Sequence, residues 1–291
     1  MLATRTRIRP SHWMRSTPLI ALATALVLAA TLSLAAAGRA LAHGGAHAAI
    51  PAGAAHGDVA LRDCWMTAAL VPRPADTVEE SFRAPLDLTQ TFYGTDPLVG
   101  IWGIACDRAR VADERVERVI VSLVGVPIGL TAAGVPPLAN NFAHALLRVD
   151  TDSRPLAKAL RRAGLPARFA SDARFRHSSP QAVPSTGELV VPGKYRIEVA
   201  AEDIDPTNPH DHVNEFGYLG RDGRTATLGL LTEGAFDRFC FPALGNCAAS
   251  VRAHRRSPLR DLLGDGSAPV TGGFDHTKID RIDLPVDGRA G

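Results

Sequence analysis

The sequence predicts a β-rich α+β domain, either an antiparallel β-barrel or packed sheets, with two or three short helices. Three observations carry this. Short runs rich in Val and Ile, or alternating apolar with polar residues, recur through the middle of the chain. Stretches with a helical period are few and short. Gly and Pro, 26 and 21 of the 291 residues, punctuate the runs as turns. With 46% hydrophobic and 21% charged residues, the composition excludes a disordered chain, a collagen-like repeat and a multi-span membrane protein.

Residues 1–42 have the three parts of an export signal. Arg5, Arg7, Arg9 and Arg15 form a basic start, Leu19 to Ala37 is almost wholly apolar, and Ala40-Leu41-Ala42 supplies a small-x-small cleavage site. The apolar run is also long enough to span a bilayer, so the segment would act as a membrane anchor if left uncleaved. The placement of the Ala-x-Ala favours cleavage, and with it a secreted, periplasmic or cell-envelope location. Removing the segment's five arginines from 32 basic residues leaves 27 against 30 acids, a net charge of −3. No basic face then points to nucleic acid.

Residues 43–60, rich in Ala, Gly and His, read as a flexible leader. A copper-binding brace at His43 with His47 and His56 is the less favoured reading of that leader. Residues 61–263 read as a single domain, and 264–291, rich in Gly, Asp and Pro, as a tail. Asp76 and Glu79 have capping-box spacing and predict a short helix near 77–83. Leu98–Ala105 and Val116–Val126 read as strands. Phe142–Val149 alternates, with Ala143, Ala145, Leu147 and Val149 on one face and Phe142, His144 and Leu146 on the other.

The best helix is Ser153–Ala163. Asp152 or Ser153 can cap it, Pro155 suits its first turn, and Leu156, Ala157, Leu160 and Ala163 make its apolar stripe. Arg161 and Arg162 favour the negative end of its dipole, and Gly164 stops it. Tyr195–Ala201 alternates as a half-buried strand. Asn214–Leu219 and Thr225–Leu231 flank a Gly-Arg-Asp-Gly-Arg turn and should form a hairpin. Ser257-Pro258 opens a third, short helix.

Cys64, Cys106, Cys240 and Cys247 all lie beyond the signal, an even number suited to two disulfides in an exported chain. Three pairings are possible; Cys64–Cys106 with Cys240–Cys247 is favoured, because the latter closes a short Pro/Gly loop.

The stretch Leu147–Ala170, with Val149-Asp150 ending a strand, a helix over 153–163 and the turn Gly164-Leu165-Pro166, resembles the acetoacetate decarboxylase superfamily. The resemblance covers about residues 95–240 and implies that fold, with a pocket for a small ligand. In that family a Gly-aromatic-Pro-Lys-Lys turn carries a lysine that forms a Schiff base with a β-keto acid, its amine kept neutral by a neighbouring cation. The two lysine positions correspond here to Ala167 and Arg168, and the position aligned with the family's glutamate is Gly100. Alanine cannot attack a carbonyl, and arginine stays protonated. The chain's lysines are Lys158, Lys194 and Lys278. Of these only Lys194, in Pro192-Gly193-Lys194, could substitute, and a solvated turn residue is the favoured reading. The resemblance therefore implies ligand binding without Schiff-base chemistry.

Candidate ligand-binding residues are Arg168, for an anionic group such as a carboxylate, and His144 and Trp102 for the pocket wall. For His144 a buried, hydrogen-bonded core role is favoured, and for Trp102 a core-filling one; for Arg168 the slightly favoured rival is a solvated loop residue or a pair with Asp172. His210-Asp211-His212 is the most metal-like feature, since His-x-His can give two imidazoles to one ion. It underlies an alternative reading as a metal-dependent, cupin-like enzyme. Pro206 and Pro209 argue instead for a polar loop there. G-x-S-x-G, P-loop and G-x-G-x-x-G patterns are absent, and no cofactor is assigned.

Overall fold

Long apolar runs place two adjacent strands at the centre of the molecule. The computed structural model describes residues 59–82, 88, 96–111, 113–127, 142–179, 182–201, 210–219, 225–235, 237–240, 242, 245, 247–266, 270, 272–283 and 286–289. Residues 1–58, which include the segment expected to act as an export signal, lie outside them. The described residues belong to one compact unit, Ile50–Gly291. Strands β1 (Val59–Pro72) and β2 (Leu98–Val111) pair antiparallel from Val59↔Val111 to Pro72↔Leu98.

The remaining strands are β3 (Glu114–Val116), β4 (Val119–Pro127), β5 (Phe142–Thr151), β6 (Ala167–Phe169), β7 (Arg174–His177), β8 (Ser185–Val191), β9 (Tyr195–Ala201), β10 (His210–Leu219), β11 (Thr225–Ala235), β12 (Asp237–Cys240), β13 (Cys247–Ala253), β14 (Gly272–Asp283) and β15 (Val286–Arg289). An 11-stranded sheet runs β12-β14-β1-β2-β4-β5-β10-β11-β15, with β3 beside β2 and β6 beside β5. It curls until β11 also meets β14 over Leu231–Glu233, bringing its two ends together. A four-stranded sheet, β13-β9-β8-β7, packs on its outer side. Both architectures expected from the sequence are therefore present, a curled barrel-like sheet and a second sheet packed on it.

Alternation along the strands separates two cores. On β2, Trp102, Ile104 and Cys106 face the inside of the curl, where they meet Leu61, Leu123, Phe216 and Leu228. Val99, Ile101 and Ala105 face outward onto Leu189, Val191 and Ile197 of the four-stranded sheet. At Gly103 the two layers come closest: a Cβ there would lie 3.0 Å from the Leu189 side chain.

Three helices complete the described fold: α1 (Ala75–Phe82), α2 (Arg154–Arg162) and α3 (Arg260–Leu263). Ser153 caps α2, its Oγ accepting from Leu156 N at 3.3 Å, and Gly164 at φ +86° ends it. Leu156 and Leu160 of α2 are fully buried in the inner core. Val78 of α1 and Leu262 and Leu263 of α3 join the outer one. Helix α1 starts at Ala75, so Asp76 lies within its first turn rather than capping it.

The hairpin expected around residues 220–224 forms, with Asn214↔Leu230 through Leu219↔Thr225 in register. Three expectations are corrected. Residues 264–291 are not a surface tail: they supply β14 and β15, and Ile279 and Ile282 are fully buried against β1 and β11. The 43–60 leader gives its last two residues, Val59 and Ala60, to β1. The third concerns β5. The register slips between Val124↔Arg148 and Gly125↔Leu146, leaving Leu147 as an extra residue. Ala145 and Leu147 face the outer core, but Leu146 and Val149 both face inward. Single alternation therefore assigned Val149 to the wrong partners.

Disulfide Cys64–Cys106 joins β1 to β2 at directly opposed positions. Cys247 is also disulfide-bonded, while the side chain of Cys240 lies outside the described residues.

Candidate functional site

The β5 bulge determines which way the charges beyond it point. After Leu147, Arg148 and Asp150 both project outward, toward the four-stranded sheet, two residues apart on one strand face. Their side chains are only 5% and 1% exposed. The guanidinium donates Nε to Asp150 Oδ2 at 2.6 Å and Nη2 to Asp150 Oδ1 at 2.7 Å, a bidentate pair. Facing them is Tyr195, the first residue of β9, carried there by a turn through Gly193 at φ +70°. Its phenol oxygen is 3.0 Å from Asp150 Oδ2 and 3.0 Å from Ser122 Oγ. One phenol proton serves one acceptor, so donation to the carboxylate leaves the Ser122 hydroxyl to donate to the phenol. Burial, followed by the negative charge of Asp150, pushes the Tyr195 phenol well above its usual pKa, keeping it protonated.

Arg148 also lines a cleft of about 410 Å³ between the outer face of β5 and β6 and the helices α1 and α3. Two of its three guanidinium nitrogens are taken by Asp150, and the third, Nη1, has no protein partner among the described residues. Strand β6 runs parallel to β5, with Asp150 opposite Arg168. Arg168 is exposed and lines the same cleft. Thr77, Glu80 and Ser81, at i, i+3 and i+4 on α1, and Asp261 on α3 form the facing side.

The other expected site residues lie elsewhere. Ala167, one residue before Arg168, points the opposite way and is 4% exposed in the inner core. Trp102 and His144 come together there: their rings meet edge to face at 4.8 Å, and Phe216 stacks on His144 at 4.7 Å. Trp102 and His144 are 4% and 5% exposed. The indole of Trp102 lies back over Gly100, where a Cβ would come within 2.2 Å of its Cη2 atom. The position that the family resemblance assigns to a glutamate is therefore covered by an aromatic ring, and the position assigned to the lysine is an alanine packed in the core. The structure thus joins Trp102 to His144 but sets Arg168 on the opposite face of the sheet. Lys194 sits in the β8–β9 turn, its N–H bonded to Val191 O at 2.9 Å and its carbonyl accepting from His254 N at 2.7 Å.

His210 and His212 open β10 instead of lying in the loop that the prolines suggested, with a bulge between them. Their side chains are outside the described residues. Among the described residues no group of three or more His, Cys, Asp and Glu side chains stands close enough to hold a metal ion.

Sequence reasoning passed over Arg148, Ser122 and Tyr195. The available signal was Arg148-Val149-Asp150, two opposite charges at i and i+2 in an otherwise apolar strand. Such charges are buried only when paired.

No family model matches the chain, and no curated protein matches it in sequence. Solved structures do. The enduracididine biosynthesis enzyme MppR, complexed with pyruvate, is similar at a TM-score of 0.51 and 11% identity, over 79% of this chain and 89% of that one. An acetoacetate decarboxylase-like enzyme from Sphingomonas wittichii RW1 is similar at 0.51 and 9%, over 85% of this chain and 99% of that one. MppR complexed with the condensation product of pyruvate and imidazole 4-carboxaldehyde is similar at 0.50 and 11%, over 82% and 91%. The fold is acetoacetate decarboxylase-like.

Proposed function

We propose that the chain is an exported, disulfide-stapled domain that binds a small organic carboxylate on an acetoacetate decarboxylase-like fold, without Schiff-base decarboxylation. The observation that carries the reading is Arg148. Its guanidinium is buried, held flat by Asp150, and borders the cleft that Arg168 shares. A cation fixed in this way loses little freedom on binding an anion, and charge-assisted bonds in a partly desolvated cleft contribute about 1.5–3 kcal/mol each. That a solved structure of the same fold was obtained with pyruvate supports a ligand of this size and charge. Ala167 in the lysine position and the indole over Gly100 support the absence of imine chemistry. The Cys64–Cys106 disulfide fits an oxidising compartment, and among the described residues no helix is long and apolar enough to cross a membrane.

Calorimetric titration of the protein without residues 1–42 with pyruvate tests the reading. Saturable binding, weakened about five-fold or more in Arg168→Ala, is expected. Borohydride added to the pyruvate complex should leave the mass unchanged. An adduct at Lys194 would overturn the non-covalent reading, and equal binding by Arg168→Ala and the parent would remove the cleft.

A further inference from the structure

The cleft carries charges of both signs, and they are arranged by wall. The sheet side offers, from neighbouring parallel strands, Arg148, whose charge is already paired with Asp150, and the unpaired Arg168. The helix side offers Glu80 on α1 and Asp261 on α3, with Thr77 and Ser81 on the same α1 face as Glu80. Neither acid has an ion-pair partner among the described residues, and Arg168 has none either. Glu80, Asp261 and Arg168 line the cleft without pairing with one another, while Arg148 is paired with Asp150 and has only its Nη1 left to offer. The Ser81 Oγ donates to Thr77 O at 2.8 Å, which leaves its lone pairs as acceptors toward the cleft. Acceptors and carboxylates on that wall suit a donor-rich cation, as the guanidinium wall suits an anion.

Resting on the carboxylate reading above, we infer that the ligand is a zwitterion of the amino-acid class. Its carboxylate lies on Arg148 and Arg168, and its ammonium or guanidinium lies on Glu80 and Asp261. A simple anion would gain from one wall and be repelled by the other. A zwitterion gains from both, and the acids exclude dianions. The volume of about 410 Å³ leaves room for several methylenes between the two charges. Arg148 supplies the fixed end, because Asp150 and Tyr195 hold it in place before any ligand arrives.

Three probes of matched length separate the two ends: 6-aminohexanoate, hexanoate and hexylamine. Titrated into the protein without residues 1–42, 6-aminohexanoate should bind at least ten-fold more tightly than either of the others. Glu80→Gln combined with Asp261→Asn should remove that advantage over hexanoate while leaving hexanoate binding unchanged or tighter. Arg168→Gln should weaken 6-aminohexanoate and hexanoate alike and leave hexylamine binding unchanged or tighter. Both acids and Arg168 are exposed, so these variants fold, which circular dichroism verifies. Hexanoate binding as well as 6-aminohexanoate, in the parent and the acid variant alike, overturns the zwitterion and leaves the carboxylate reading standing. Failure of pyruvate, hexanoate and 6-aminohexanoate all to bind overturns both.

Discussion

Among the described residues buried charge is tolerated at one place, the Arg148–Asp150 pair, and a few atoms decide its balance. Asp150 receives two bonds from Arg148 and one from Tyr195, so each partner's loss has a different cost. Asp150→Ala leaves a guanidinium buried without its counter-charge and should destabilise by about 3–5 kcal/mol. The apolar double variant Arg148→Met, Asp150→Leu should recover most of that loss in urea unfolding, because the desolvation cost disappears with the pair. Tyr195→Phe removes one donor from the carboxylate and should cost about 1–3 kcal/mol. The same variant has a pH signature. The phenol's pKa is raised in the folded state by burial and by Asp150. Its contribution is therefore complete below the ordinary phenol pKa of about 10 and is lost as pH rises through that value toward the folded one. Melting temperatures of the parent should thus fall more steeply than those of Tyr195→Phe above about pH 10. Parallel curves would show that Tyr195 ionises equally easily in both states.

Elements with one strong period were legible, and those that changed period were not. Helix α2 matched its cap, stripe and stop because Ser153, Pro155 and Gly164 act within a turn of where they stand. Ser153→Ala should lower stability by about 1 kcal/mol. Strand β9 alternates without interruption, and its burial alternates with it. Strand β5 contains a bulge, and no local residue marks it: Leu147 looks like any apolar strand residue. Its outcome depends on the β4 register, which is a tertiary property. The cleft was illegible for the same reason, since its walls come from β5, β6, α1 and α3. Gly100 belongs to this scale too. It is the position on β2 that allows an indole to fold back along its own strand. Gly100→Ala should displace Trp102, changing near-ultraviolet dichroism and costing about 1–3 kcal/mol. Gly100→Ala with Trp102→Leu should be less destabilised than the two single effects summed.

For the molecule as a whole, the fold class was readable because strand-like runs far outnumber helical ones, while the closure of the sheet was not. Glycine-rich composition made residues 264–291 look like a tail, yet Gly272 and Gly273 pair with Leu70 and Ala69 of β1. Beside that pairing, Cys64–Cys106 closes a loop of 42 residues. Chain entropy alone assigns such a loop about 4 kcal/mol. Replacing both cysteines by alanine should therefore lower stability by about 2–4 kcal/mol, read as a fall in melting temperature of several degrees.

The pairing of β1 with β14 also bears on the order of events as the chain emerges. One edge of β1 can be covered early by β2, but the other waits for residues 272–283, about 200 positions later. Until they arrive, the sheet has an open flank of unpaired amides and carbonyls, and Ile279 and Ile282 have not yet reached the inner core. A chain made from its N-terminus therefore cannot shut its barrel before residues 272–283 have been added.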